Sequence, residues 1–242
     1  MVNLETTYMG LKLKNPIVVA SSGLTNTVEK IKSLEEAGAA AVVIKSLFEE
    51  QINSEVSHLI NKDPQNLYPE AEDYIWNYTR NNSITAHLEL VKEAKKAVSI
   101  PIIASINCIT SKEWTSFAHD FEKAGADALE LNLFIVPTDR KQSGAEIEQL
   151  YVDVLAKVKR EVSIPVGVKI GSYFSNLINM IEKLMANGAA SVTMFNRFYE
   201  PDINLDKLEL SASEVFSSPA EMSRTLRWVG LVNSALPKLE IA

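Results

Sequence analysis

The segments IKSLEEAGAAAVVIKSLF (31–48), FAHDFEKAGADALELNLF (117–134) and LINMIEKLMANGAASVTMFNRF (177–198) share one form. Each begins as an amphipathic helix, passes a small residue and a glycine (Gly38, Gly125, Gly188), and continues as an apolar run that ends in polar residues. The glycine has a physical role, because helices commonly end on a residue with positive φ, which glycine adopts without steric cost. A second form occurs twice, in LVKEAKKAVSIPIIASINC (90–108) and VLAKVKREVSIPVGVKIGS (154–172). There the helix meets Ser-Ile-Pro, and Pro101 or Pro165 stops it and opens a β-branched strand.

Working outward, apolar runs place strands near 16–20, 40–45, 101–107, 127–132, 165–170 and 190–196, with a seventh at 238–242. These runs are nearly continuous in apolar residues, as in a parallel sheet buried on both faces. Helices of the expected crossover length separate most of them, which is the βαβ pattern. An open doubly wound sheet and a closed barrel both satisfy it. No G-x-G-x-x-G follows the first strand, where Ser21-Ser22-Gly23 makes a different turn. Polar residues gather at the C-terminal strand ends: Ser21, Lys45-Ser46, Asn107, Asn132, Lys169 and Asn196. In (β/α)₈ TIM barrels that end builds the active site, so an α/β barrel is the expected fold class.

Composition removes several function classes. The 242 residues are 46% hydrophobic and 23% charged, with a net charge of −7, which lacks the basic footprint of a nucleic-acid binder. One cysteine excludes a disulfide framework and a four-cysteine zinc site within these residues. No apolar run reaches the length of a membrane span and the N-terminus has no signal core, so a cytoplasmic location is expected. His58, His87 and His119 lack metal-ligand spacing and read as surface or packing residues, and Trp228 reads as helix core. Residues 49–86 are long for a βα connection and hold Tyr68, Tyr74, Trp76 and Tyr78. They are expected to form an insertion over the barrel mouth within a single domain.

Lys45 and Lys169 are the strongest chemical signal, since each follows an apolar strand where a lysine is seldom buried without a partner. A lysine snorkelling to the rim explains one such residue more readily than two at matching strand ends. Asn107, Asn132 and Asn196 add amide donors and acceptors at three further strand ends, although each alone suits a turn or cap. Two cations with three amides suit a flat heterocycle with alternating N–H and C=O edges, or an anion that gains charge during reaction. Lys169 as a Schiff-base amine of an aldolase is a rival use of the same residue.

NPIVVASSGLT (15–25), VVIKS (42–46), PIIASINC (101–108), GADALELN (125–132), PVGVKIGSYF (165–174) and SVTMFNR (191–197) resemble the dihydroorotate dehydrogenase family and, in ASINCITSKEW, the flavin domain of dihydropyrimidine dehydrogenases. The resemblance implies an FMN-binding barrel that moves a hydride between a dihydropyrimidine and flavin, and a homodimer. It places Ala20, Ser21 and Gly23 against the flavin, and Lys45 and Ser46 beside flavin and substrate. Asn107 matches the third-strand polar position, and Asn132 the Glu-Leu-Asn asparagine that holds flavin or pyrimidine. Lys169 matches the lysine at the flavin edge where charge collects, and Asn196 an asparagine that meets the pyrimidine.

Three departures accompany these matches. The family follows Glu-Leu-Asn with a Cys or Ser general base, whereas here the stretch is Leu133-Phe134-Ile135-Val136-Pro137-Thr138. Phe134 and Ile135 accept no proton, which leaves Thr138 and Cys108 as weak substitutes. In the loop after the second strand, Asn66 partly replaces a pyrimidine contact beside Glu70, whose charge would repel a substrate carboxylate. The residues end within strand seven, so the glycine-rich phosphate loops after strands seven and eight are expected beyond Ala242 or replaced by another subunit. A divergent dihydropyrimidine-type oxidoreductase and a non-catalytic binding or assembly subunit are therefore alternatives to dihydroorotate oxidation.

Overall fold

The computed structural model describes residues 2–61, 69–108, 111–197, 201–212 and 218–242. An antiparallel hairpin, β1 (Thr6–Tyr8) and β2 (Leu11–Leu13), precedes the repeating units. The first units comprise β3 (Val18–Val19), α1 (Val28–Glu36), β4 (Ala41–Val43), β5 (Leu47–Phe48), α2 (Glu49–Asn61), α3 (Pro69–Ala97) and β6 (Ile102–Asn107). The next are α4 (Ser111–Lys123), β7 (Ala128–Asn132), α5 (Gly144–Glu161), β8 (Val166–Ile170), α6 (Leu177–Ala186) and β9 (Ser191–Met194). A second hairpin, β10 (Pro201–Asn204) and β11 (Glu209–Ala212), leads to α7 (Glu221–Ala235) and β12 (Glu240–Ile241).

The large sheet is parallel throughout, in the order β12-β9-β8-β7-β6-β4-β3, with β5 pairing β6 beyond the end of β4. Each expected strand run contains one of these strands. The sheet curls as a wall of the barrel architecture, and α4, α5 and α6 cover its outside through Phe117, Phe121, Leu155 and Ile181. Among the described residues no helix is long and apolar enough to cross a membrane.

The repeats have a shared local cause. Gly38, Gly125 and Gly188 take φ of 102°, 95° and 93°. At each, the following amide reaches back to the helix: Ala39 N to Leu34 O, Ala126 N to Phe121 O, and Ala189 N to Leu184 O. That is the Schellman closure, which satisfies carbonyls left open at a helix end.

The Ser-Ile-Pro units are clamped by carboxylates of earlier helices. Glu35 Oε1 accepts from Ser99 N, Ser99 Oγ and Ile100 N at 2.8, 2.6 and 3.2 Å. Glu122 Oε1 repeats the pattern with Ser163 N, Ser163 Oγ and Ile164 N at 2.8, 2.6 and 3.1 Å. These donors, led by the serine hydroxyls, hold both carboxyls below the usual carboxylate range. Replacing either by Gln is expected to cost about 1 kcal/mol near neutral pH in urea unfolding. A depressed folded pKa gives stabilisation that is complete above the unfolded value and lost as pH falls through the folded one. The variant and parent curves therefore converge once pH has fallen below the depressed folded value; a gap that persists in strong acid contradicts the clamp.

The hairpin β1–β2 plugs the N-terminal end of the strands. Met9 is 1% exposed and packs with Tyr8 and Leu13 against Ala41, Val43, Ile103 and Ala128. Glu240 fastens β12 to it, accepting from Thr7 Oγ1 at 2.8 Å and Gly10 N at 3.2 Å. Gly167 lies where backbone and plug meet, since a Cβ there would stand 2.5 Å from Ser191 Oγ and 3.0 Å from Met9 Cε.

Candidate functional site

The strand register aligns the ends of β6 to β9. Asn132 lies opposite Lys169, and Lys169 opposite Thr193. Asn107 Nδ2 donates to the Asn132 carbonyl at 2.9 Å, and Asn196 Nδ2 to Asn132 Oδ1 at 2.6 Å. The Asn196 amide itself donates to Ile170 O at 2.8 Å. Asn107, Asn132, Lys169 and Asn196 are thus brought together, with Asn132 buried at their centre.

A second group forms just past the ends of β3 and β4 and against β6. Ser21 Oγ and Ser46 Oγ are 2.9 Å apart, and the Ser46 amide also donates to Ser21 Oγ at 2.9 Å. Ser46 Oγ lies 2.8 Å from Ser105 Oγ inside the wall. The Lys45 amide donates to Thr25 O, and its ammonium stands 5.2 Å from the Phe48 ring centroid. Ala20 and Gly23 are exposed beside this group, and Gly23 O accepts from Lys30 Nζ at 2.7 Å. Asn66 lies outside the described residues.

One residue escapes the sequence reading, and a second reads there only as a surface or packing residue. Glu130 is 5% exposed in the middle of β7, where Oε1 accepts from Ser105 Oγ at 3.1 Å and Oε2 from Thr193 Oγ1 at 3.3 Å. Burial raises its pKa, against the opposing pull of the Lys169 charge and the two hydroxyls. A lone acid inside an apolar run was the available signal. The other is His87 of α3, whose Nδ1 lies 2.9 Å from Ser83 O. Burial lowers its pKa, with the nearby Lys45 charge adding and the Ser83 and Ser46 backbones opposing, so the ring is neutral at pH 7. Nothing in its spacing marked it.

The possible substitutes for a loop base fare poorly. Cys108 is 9% exposed, and burial, reinforced by Glu49 and Glu113, pushes its thiol far up, so it stays protonated. Thr138 is exposed. The Phe134 ring packs over the end of β8, where a Cβ on Gly171 would stand 3.3 Å from it. Ile135 N is fastened to Tyr151 Oη at 3.1 Å, which fixes this apolar loop.

Two surface hollows of about 570 and 440 Å³ contain none of the strand-end residues. They are open grooves lined by polar helix and loop residues such as Lys141, Glu146, Glu29 and Lys32, and do not compete with the strand ends as a site for chemistry. No group of three or more His, Cys, Asp or Glu suited to a metal occurs among the described residues. The strand-end donors instead fit a flavin's pyrimidine edge: amides can meet its alternating N–H and C=O groups, and a lysine can face the edge that collects charge.

Comparison with known proteins gives the same direction. Residues 3–205 match the family model described as dihydroorotate dehydrogenase. The chain is 32% identical over 190 residues to the catalytic subunit of dihydroorotate dehydrogenase B (NAD(+)) of Thermoplasma volcanium, covering 74% of this chain and 58% of that protein. The corresponding subunit of Methanocella arvoryzae is 30% identical over 189 residues, covering 77% and 60%. The NAD-dependent dihydropyrimidine dehydrogenase subunit PreA of Escherichia coli is 22% identical over 200 residues, covering 80% and 48%. The chain therefore spans between about half and six-tenths of these relatives' lengths. With its parallel barrel wall and the matched residues 3–205, the chain belongs to the dihydroorotate dehydrogenase family.

Proposed function

We propose that the protein is an FMN-dependent oxidoreductase acting on a dihydropyrimidine, dihydroorotate or a relative, in pyrimidine metabolism, as a cytoplasmic homodimer. The observation that carries this reading is the convergence of Lys169 with the hydrogen-bonded Asn107, Asn132 and Asn196 at adjoining strand ends. FMN, when bound, supplies the hydride-accepting ring. Lys169 provides a fixed positive charge at the edge of the site. Ser21, Ser46, Ala20 and Gly23 lie just past the ends of β3 and β4, with Lys45 next to Ser46 in the chain. The Asn132–Asn196 pair fixes amide orientation, leaving Asn196 Oδ1 to present an acceptor to a ring N–H.

The test is turnover by the purified protein with added FMN, comparing dihydroorotate and dihydrouracil with a dye acceptor. Oxidation of either supports the reading and selects the substrate. FMN binding with neither oxidised contradicts it. That second outcome favours a non-catalytic barrel acting as a binding subunit, a reading supported by the apolar Phe134–Val136 loop where the family carries its base.

A further inference from the structure

Hydroxyl groups each have one proton to donate, and this fixes the direction of the buried chain around Glu130. Ser105 spends its proton on Glu130 Oε1, so the contact between Ser46 and Ser105 has Ser46 as donor. Ser46 Oγ then has none left, so Ser21 donates to it. On the other side Thr193 donates to Glu130 Oε2, and Tyr8 Oη, 3.1 Å away, donates to Thr193. Every hydroxyl in both arms thus points its proton toward one carboxylate. One arm rises to half-buried Ser21 at the barrel mouth, and the other descends to Tyr8 in the plug.

We propose that Glu130 is the terminus of a proton relay running from Ser21 through Ser46 and Ser105, receiving the proton that Phe134 and Ile135 after β7 cannot accept. The proposal rests on the flavin-oxidoreductase reading. As a proton leaves the bound substrate for Ser21 Oγ, the electron pair of the broken bond stays on the substrate. Ser21 passes its own proton to Ser46, Ser46 to Ser105, and Ser105 to Glu130 Oε1. Each serine loses one O–H bond and gains another, and Glu130 alone gains a net proton to become a neutral acid. Its surroundings suit both forms. Lys169 on β8 and the two donors favour the carboxylate, whereas burial, the largest influence, favours the acid.

The experiment follows the carboxylic-acid carbonyl band of the purified protein by infrared difference spectroscopy across pH. A band is expected that titrates above the ordinary carboxylate range and is missing in Glu130→Gln. Ser105→Ala and Thr193→Val each remove one donor to the charged form, and each should raise that titration by roughly one pH unit. Only Ser105→Ala cuts the arm to the mouth. It should lower turnover of the FMN-loaded protein about 100-fold, with Thr193→Val losing far less. Equal losses in the two variants, or no band that Glu130→Gln removes, would overturn the relay. Where Glu130→Gln does not fold, the comparison of Ser105→Ala with Thr193→Val decides. Failure of the parent protein to bind FMN would contradict the flavin reading, and the infrared titration still reports on Glu130 separately.

Discussion

Lys169→Ala is expected to lower kcat/KM of the FMN-loaded protein about 100- to 1000-fold, the loss typical of removing one fixed group that stabilises developing charge. Lys169 stands near the end of β8, opposite Asn132 across the strand pair, at the proposed flavin site. Its charge also opposes the burial of Glu130. Removing it should therefore raise the Glu130 pKa further and move the acid limb of the pH–rate profile upward. Steady-state assays across pH read both effects. A Lys169→Ala variant with unchanged kcat/KM would show that the lysine merely snorkels to the rim.

Arg80→Ala carries the largest expected loss of stability, about 3 kcal/mol, from breaking an ion pair that is mostly out of water. Arg80 Nε donates to Glu113 Oε2 at 3.2 Å, with the two side chains 19% and 9% exposed. The guanidinium carbon also lies 5.6 Å from the Trp76 ring centroid and 5.5 Å from that of Phe117. The side chain thereby docks α3 on α4, and its removal leaves Glu113 buried without its cation. Lysine would restore the charge but neither the planar fork nor the stacking, so Arg80→Lys should recover only part of the loss. Urea unfolding measures both, and a loss under about 1 kcal/mol would place the pair among ordinary surface ion pairs.

Much of this architecture was legible because its physical causes are local. A glycine after a helix and a proline before a strand each act within a few residues, and both recurred at fixed places in the repeat. The carboxylate clamps were not legible, although Glu35 and Glu122 each stand three residues before the helix-ending glycine. Their donors lie 64 and 41 residues away, a pairing that only the fold creates. The N-terminal plug was missed for another reason. Its turn is Met9-Gly10, with φ of 54° and 72°, where a hairpin signal would have been Asn-Gly. Residues 49–86 read as an insertion over the barrel mouth, and its described part is helical. Tyr74 and Tyr78 there are 68% and 57% exposed and stack on each other at 6.0 Å, so aromatic content did not report burial.

The strand-end lysines and asparagines were visible because polar groups closing apolar runs stand out along a sequence. Their mutual geometry was not, since Asn132 and Asn196 are joined by a bond spanning 64 residues. Glu130 shows the limit of reading by motif. It appeared only as the first letter of Glu-Leu-Asn, although its burial and directed hydroxyl partners emerge once β6, β7 and β9 are assembled.

The most direct measurement is a titration of the purified protein with FMN, followed by visible absorption and flavin fluorescence. A flavin site at these strand ends gives saturable binding at one FMN per chain, with shifted absorption bands, and weaker binding in Lys169→Ala. FMN whose spectrum stays that of the free cofactor at every protein concentration would contradict the flavin site.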